Sequence, residues 1–311
     1  MSSQSRRTFL KGAASLGAVA IAGSEAARNV FGAENPVRLK YSKCNETFQD
    51  WPQEKIFKFI AECGYGGVEI APFTISNYVT DISRKERTAL RKHADEAKIR
   101  IVGLHWLLAR TKGLHLTHPD AAVRRKTTEY LCELAKFCSE LGGDVMVFGS
   151  PQQRNLLPGV SRDEGMKYAA EVFRGAMPTL EKLEIMLALE PLGTATNFMV
   201  TAADTVELAE MVDSPNCKLL LDCKAMVSES TPIPELIRKH GSWLIHFHAN
   251  DANRRGPGMG DLDFVPIFEA LRDIKYRGWV SVEVFDYSPG PEALARESIE
   301  YMKKVEARVF G

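Results

Sequence analysis

The sequence lacks a net charge: 40 lysines and arginines face 40 aspartates and glutamates across 311 residues. No bulk field therefore draws the chain to nucleic acid or to an anionic membrane. It lacks any apolar run near the roughly 18 residues that cross a bilayer as a helix. It lacks the Cys-x-x-Cys and Cys/His spacings of a zinc site. Its six cysteines also lack partners within one element. Cys132 and Cys138 stand about 9 Å apart along a helix axis, and Cys217 and Cys223 bracket a strand about 20 Å long. Neither pair can bridge, so the cysteines read as mostly buried free thiols. No internal repeat, linker or composition shift is visible. Apolar residues at 45% and charged residues at 26% exclude a disordered or collagenous chain.

The N-terminus is a different kind of segment. Ser5-Arg6-Arg7-Thr8-Phe9-Leu10-Lys11 precedes an uncharged, small-residue stretch over 12–24. This order matches a twin-arginine export signal, with small residues at Ser24 and Ala26 for cleavage. Residues 1–35 are therefore expected to be export signal and linker, and the protein to be periplasmic or otherwise exported. An uncleaved signal would leave it anchored instead. Such signals mark proteins exported folded, which suits a chain that loads a metal first. Residues 1–35 carry four basic and two acidic side chains, leaving 36 and 38 for the remainder, a net of −2. That balance points to a small-molecule partner.

From residue 36 onward the chain reads as one domain. Short β-rich runs at 37–41, 67–71, 101–106, 144–149, 185–190, 218–222, 243–249 and 279–284 alternate with helical periodicity, as over 121–141 and 162–183. Gly64, Gly142-Gly143 and Gly278 read as helix stops. Runs such as Val-Met-Val-Phe at 145–148 are apolar throughout, as strands covered on both faces should be. Eight βα units in about 275 residues predict an α/β fold, a (β/α)8 TIM barrel. An open doubly wound sheet would more often carry a phosphate-binding glycine loop after its first strand, and Tyr41-Ser42-Lys43-Cys44-Asn45 is not one.

Four consecutive apolar strands end in a charged or imidazole residue: Glu190, Asp222, His248 and Glu283. Their separations of 32, 26 and 35 residues are each about one βα unit, which puts all four at the rim where barrel active sites sit. Three converging carboxylates repel and raise one another's pKa. A divalent cation removes that penalty, and an O,O,N,O donor set suits Mn²⁺ first, with Mg²⁺, Co²⁺ or Zn²⁺ as alternatives. One such residue alone is as often a helix cap or a core group, but four in succession are not.

Further polar residues fall near the same mouth. Glu69 closes the second strand and His105 the third, as groups that support the ligands or contact substrate. Trp106 could stack on a sugar face or simply pack. Gln152, Gln153 and Arg154 have donors for hydroxyls, and a solvated loop explains them equally. His246 shares the inward face with His248 by period two. His93, His115, His118 and His240 fall on helices or loops and carry no role.

Leu189-Glu190-Pro191-Leu192, Asp222 followed by Met226, His246-Phe247-His248, the segment 254–260 and Gly278-Trp279-Val280-Ser281-Val282-Glu283 together resemble the xylose-isomerase-like barrel superfamily of sugar isomerases and epimerases. Within it the chain resembles the D-tagatose/D-psicose 3-epimerase group, with a more distant likeness to endonuclease IV. The resemblance implies one divalent ion on Glu190, Asp222, His248 and Glu283. It implies that Glu190 and Glu283 flank the substrate carbon as an acid/base pair, that Arg254 reaches a substrate oxygen, and that subunits associate. Two departures bear on specificity: ketohexose 3-epimerases carry a substrate-contacting His and Glu where this chain has Ala225 and Thr196. Lys224 could supply a cation near the site for an oxidised or acidic sugar or an enolate, or simply point to solvent.

These observations predict a divalent-metal-dependent sugar isomerase or epimerase. Proton abstraction beside the carbonyl of a keto sugar or polyol derivative gives an enediolate, and the two carboxylates take and return the proton. A lyase, dehydratase or hydratase on a 3-keto sugar or inosose begins with the same abstraction. An endonuclease would need more ligands, and the resembling ones carry His where this chain has Ala225 and Asp263. A non-catalytic sugar-binding barrel would not need both Glu190 and Glu283.

Overall fold

Eight short strands, each followed by a helical segment, set the architecture. The computed structural model describes residues 38–311, so the export pattern and its cleavage position lie outside the described residues. The strands are β1 (Lys40–Cys44), β2 (Gly67–Ile70), β3 (Arg100–Leu104), β4 (Val145–Phe148), β5 (Met186–Leu189), β6 (Cys217–Asp222), β7 (Leu244–Ala249) and β8 (Trp279–Val282). Each pairs in parallel with the next, and β8 pairs with β1 to close the barrel. Seven lie within one or two residues of the predicted runs. The first does not: it begins three residues later than 37–41. The run at 37–41 holds the apolar Val37, Leu39 and Tyr41, but the ladder forms through Ser42↔Gly67 and Cys44↔Glu69. Polar Ser42 and Cys44 face a polar barrel interior, and so hid the true strand.

The helices packed outside are α1 (Gln53–Cys63), α2 (Arg84–Glu96), α3 (Ala121–Leu141), α4 (Arg162–Lys182), α5 (Ala202–Val212), the single turn α6 (Cys223–Met226), α7 (Ile233–His240), α8 (Phe264–Asp273) and α9 (Pro291–Phe310). Ser83, Ser161 and Thr201 start α2, α4 and α5 with reciprocal capping boxes to Glu86, Glu164 and Asp204. Gly64 (φ 97°) and Gly142 (φ 82°) end α1 and α3 in the left-handed region. Gly278 has another purpose than the expected helix stop. The turn after α8 is made at Lys275 (φ 54°), and a side chain at 278 would run into the Ile245 carbonyl.

Period-two alternation sorts the strand residues. Outward residues form the main core against the helices, as where Phe148 meets Phe173 of α4 edge-on at 5.0 Å. Inward residues divide the barrel interior in two. Val145, Val147, Ala188 and Leu220, alternate residues of β4 to β6, make a small buried apolar cluster. Across the barrel the filling is polar: the Ser42 and Ser281 hydroxyls meet, and Ser281 Oγ lies 3.2 Å from His246 Nε2. All six cysteines are free, four of them buried. No helix among the described residues is long and apolar enough to cross a membrane.

Candidate active site

The polar side of the interior rises to the C-terminal rim and ends in the four residues singled out by position. Glu190 and Glu283 directly follow β5 and β8, Asp222 ends β6, and His248 is the penultimate residue of β7. Register makes them neighbours: Asp222 pairs with His248, and His248 with Ser281, two residues before Glu283. Each offers one ligand atom within 4.8 Å of the others, and none is more than 4% exposed.

Three of the four side chains are held from behind. Asp222 Oδ1 caps α6 by accepting from the Ala225 amide at 2.8 Å, and Oδ2 accepts from Asn250 Nδ2 at 2.5 Å. His248 turns Nδ1 toward Glu283 Oε2 at 2.9 Å and Glu190 Oε1 at 3.8 Å. Its Nε2 lies 3.4 Å from Glu69 Oε2, while Glu69 Oε1 takes His246 Nε2 at 2.7 Å. Burial opposes ionisation of Glu69, but the two imidazoles outweigh it and hold the carboxyl well below the usual range. Glu283 Oε1 accepts from Trp106 Nε1 at 2.6 Å and lies 3.3 Å from His105 Nδ1. The far nitrogen of His105 is 3.2 Å from Glu46 Oε2. Desolvation pulls His105 down, but Glu46 and Glu283 prevail and raise it to about 9.

The two acids of the expected catalytic pair sit in opposed environments. Burial, then the charges of Glu283 and Asp222, push the Glu190 carboxyl up to about 8 against His248 and Arg154. Its Oε1 is buried with no hydrogen-bond partner. Burial works against Glu283 as well, yet His248 and His105 keep it below the usual carboxylate range. Such divergence of neighbouring carboxyls is typical of acid/base sites. An orphaned oxygen among three buried carboxylates and one imidazole is also what a cation would satisfy. The donor set fits a divalent ion on Glu190, Asp222, His248 and Glu283.

The remaining predicted residues separate. Glu69 and His105, 1% and 0% exposed, stand behind the four converging residues with their polar atoms turned to other side chains. Trp106 is half-buried at the mouth, stacked on Phe285 at 6.3 Å and tilted against Phe73 at 5.7 Å. Lys224, on α6, places Nζ 4.8 Å from the centroid of the Phe285 ring. Arg254 is exposed, and its Nη2 donates to the Phe285 carbonyl at 3.2 Å. Thr196 gives its hydroxyl to Asn155 Oδ1 at 2.8 Å. Gln152 is exposed and Gln153 half-buried.

Arg154 is neither a free donor nor part of a solvated loop. Its guanidinium is fully buried and donates to the carbonyls of Phe148, Gly149, Glu190, Phe198 and Met199. It ties the end of β4 to the loop after β5 and so fixes the backbone that carries Glu190. Gly149 completes that arrangement, since a side chain there would meet Glu190 Oε2. Sequence reasoning also passed over Glu46, Asn250, Phe73 and Phe285. Asn250 had a signal, two residues beyond His248. Glu46 had none, because it lies on a short turn at 45–48 with no strand-end pattern.

Comparison with known proteins agrees with this geometry. The family described as xylose isomerase-like TIM barrel matches residues 57–305. A probable ketose 3-epimerase of Synechocystis is 25% identical over 270 residues, 81% of this chain and 90% of that protein. D-psicose 3-epimerase of Agrobacterium fabrum is 30% identical over 247 residues, 76% and 82% of the two chains. A crystal structure of D-psicose 3-epimerase in the presence of D-fructose has the same fold, with a TM-score of 0.76 over 86% of this chain and 99% of that one at 24% identity. The chain belongs to the xylose isomerase-like TIM barrel family, and it is an enzyme of the sugar isomerase and epimerase class.

Proposed function

We propose that the protein is a divalent-metal-dependent epimerase or isomerase of a keto sugar or a related polyol derivative, working through an enediolate. The observation that carries this reading is the meeting of Glu190, Asp222, His248 and Glu283 around an unpartnered Glu190 oxygen. Those four residues would hold the ion, with Mn²⁺ as the expected occupant. A cation bound there supplies positive charge to a carbonyl and its neighbouring hydroxyl, which acidifies the adjoining C–H. Glu190 and Glu283 remove the proton from one face and return it to the other, inverting the carbon. Trp106 and His105 orient Glu283, and Glu69 orients His248, so that neither turns away during transfer. Trp106 and Phe285 offer apolar faces to a sugar ring. The relatives named as ketose 3-epimerases support this chemistry.

Incubation of the Mn²⁺-supplied protein with keto sugars in D₂O tests the reading. Solvent deuterium at the epimerised carbon without mass loss is expected. Loss or gain of water would assign the lyase or hydratase reaction instead, and no incorporation from any keto sugar would refute the proton abstraction. The Arg6-Arg7 pattern supports export by the twin-arginine machinery. Fractionation of cells carrying Arg6→Lys and Arg7→Lys together should show the protein retained inside. Self-association is part of the same proposal and is read by sedimentation.

A further inference from the structure

Above the acidic floor, the mouth is ringed by cations that the proposed proton transfer does not use. Arg110, Lys224 and Arg254 come from three different βα loops. Arg110 Cζ lies 4.4 Å from the centroid of Phe73 and Lys224 Nζ 4.8 Å from that of Phe285. Arg254 reaches the Phe285 carbonyl. Phe73 and Phe285 in turn flank Trp106, whose indole N–H donates to Glu283. The three cations therefore border the aromatic wall that leads to the ligand cluster. None of them forms an ion pair with a carboxylate among the described residues, whereas neighbouring Arg255 is held by Asp286 at 2.8 Å.

Cations laid over exposed aromatics are common on surfaces, and worth little there. This set is distinguished by its place, beside the aromatic wall of Phe73, Trp106 and Phe285, and by its lack of carboxylate partners among the described residues. Position 225 is a buried alanine, and the Thr196 hydroxyl is engaged by Asn155, so neither position presents a carboxylate that would repel an anion.

We infer that the substrate carries an anionic group, a carboxylate or a phosphate, remote from its carbonyl, which Lys224 and Arg254 bind across Phe285, with Arg110 adding to the positive field of the mouth. The inference rests on the proposed keto-sugar chemistry and adds its substrate class. The test uses the full chain supplied with Mn²⁺ and three ketoses alike in carbon skeleton: D-fructose, D-fructuronate and D-fructose 6-phosphate. Deuterium incorporation from D₂O gives kcat/KM for each. At least one acidic ketose should exceed D-fructose by about tenfold, the size of one charge-assisted contact. That ratio should shrink as salt rises from about 0.02 M to about 0.5 M, because exposed charges are screened. Lys224→Gln should bring it toward one, and Lys224→Arg should keep it. Which acidic ketose is favoured identifies the anion. D-Fructose exchanging as fast as both acidic ketoses, or a ratio untouched by Lys224→Gln, would overturn this inference while leaving the metal-dependent chemistry in place. Exchange with none of the three, nor with any other keto sugar, in the Mn²⁺-bound protein would overturn both.

Discussion

The two halves of the barrel divide the labour. Strands β5 to β8 contribute Glu190, Asp222, His248 and Glu283, the groups whose atoms converge. Strands β1 to β4 contribute no member of that cluster, but their ends supply most of what fixes it: Glu46, Glu69, His105, Trp106 and Arg154. A site built this way separates reactivity from orientation. Losing one of the four residues from β5 to β8 should abolish chemistry, and losing a supporting residue from β1 to β4 should weaken binding or stability while leaving chemistry measurable.

The sharpest way to break this division is Glu190→Gln. Replacing the unpartnered carboxylate by an amide should lower the rate of deuterium exchange by about a thousandfold. An effect under tenfold would remove Glu190 from the acid/base pair. Glu69→Gln should weaken Mn²⁺ binding by about 10- to 100-fold, the usual cost of losing the group that orients a ligand histidine. Calorimetric titration of the folded variant reads this, and unchanged affinity would make Glu69 a packing residue only. Arg154→Met should destabilise the chain by about 3 kcal/mol by leaving buried carbonyls unpaired. Urea unfolding measures that loss, and a neutral result would contradict the clamp.

The smallest effect concerns pH. The Glu190 carboxyl stands at about 8 against an ordinary 4.5 because of burial and the charges of Glu283 and Asp222. A carboxyl raised in the folded state contributes stability that is complete below its unfolded pKa and disappears as pH climbs through the folded one. Asp222, His105 and His248 are raised as well and act in the same sense. Half-buried His115 and His240, lowered by burial from 6.5, oppose only at and below that value. Metal-stripped protein should therefore lose roughly 5 °C of Tm between about pH 6.5 and 8. Added Mn²⁺ should raise Tm more at the upper end, where it displaces fewer protons. A flat profile would mean the acidic cluster is not strained by its own charge.

The same division governs what can be read without coordinates. Glu190, Asp222, His248 and Glu283 were legible because each breaks an apolar strand at its end, and four such breaks share one spacing. Barrel closure followed from the βα count. The supporting half was less legible because its residues obey no strand-end rule. Glu46 lies on a turn, and Ser42 and Cys44 are polar inside a strand, which displaced the first strand by three residues. Arg154 looked like a solvated donor because carbonyls left over at the ends of β4 and β5 cannot be seen in a sequence. Gly278 followed a helix as a stop would, but its small size answers a contact with β7.

The proposed chemistry needs four neighbouring strand ends to hold one divalent cation. A crystal saturated with Mn²⁺ and recorded at the metal's absorption edge decides this. A single anomalous peak per chain bonded to Glu190, Asp222, His248 and Glu283 is expected, and its loss in Asp222→Ala. Density without a peak among these residues at saturating Mn²⁺, or an ion bound elsewhere in the barrel, would contradict it.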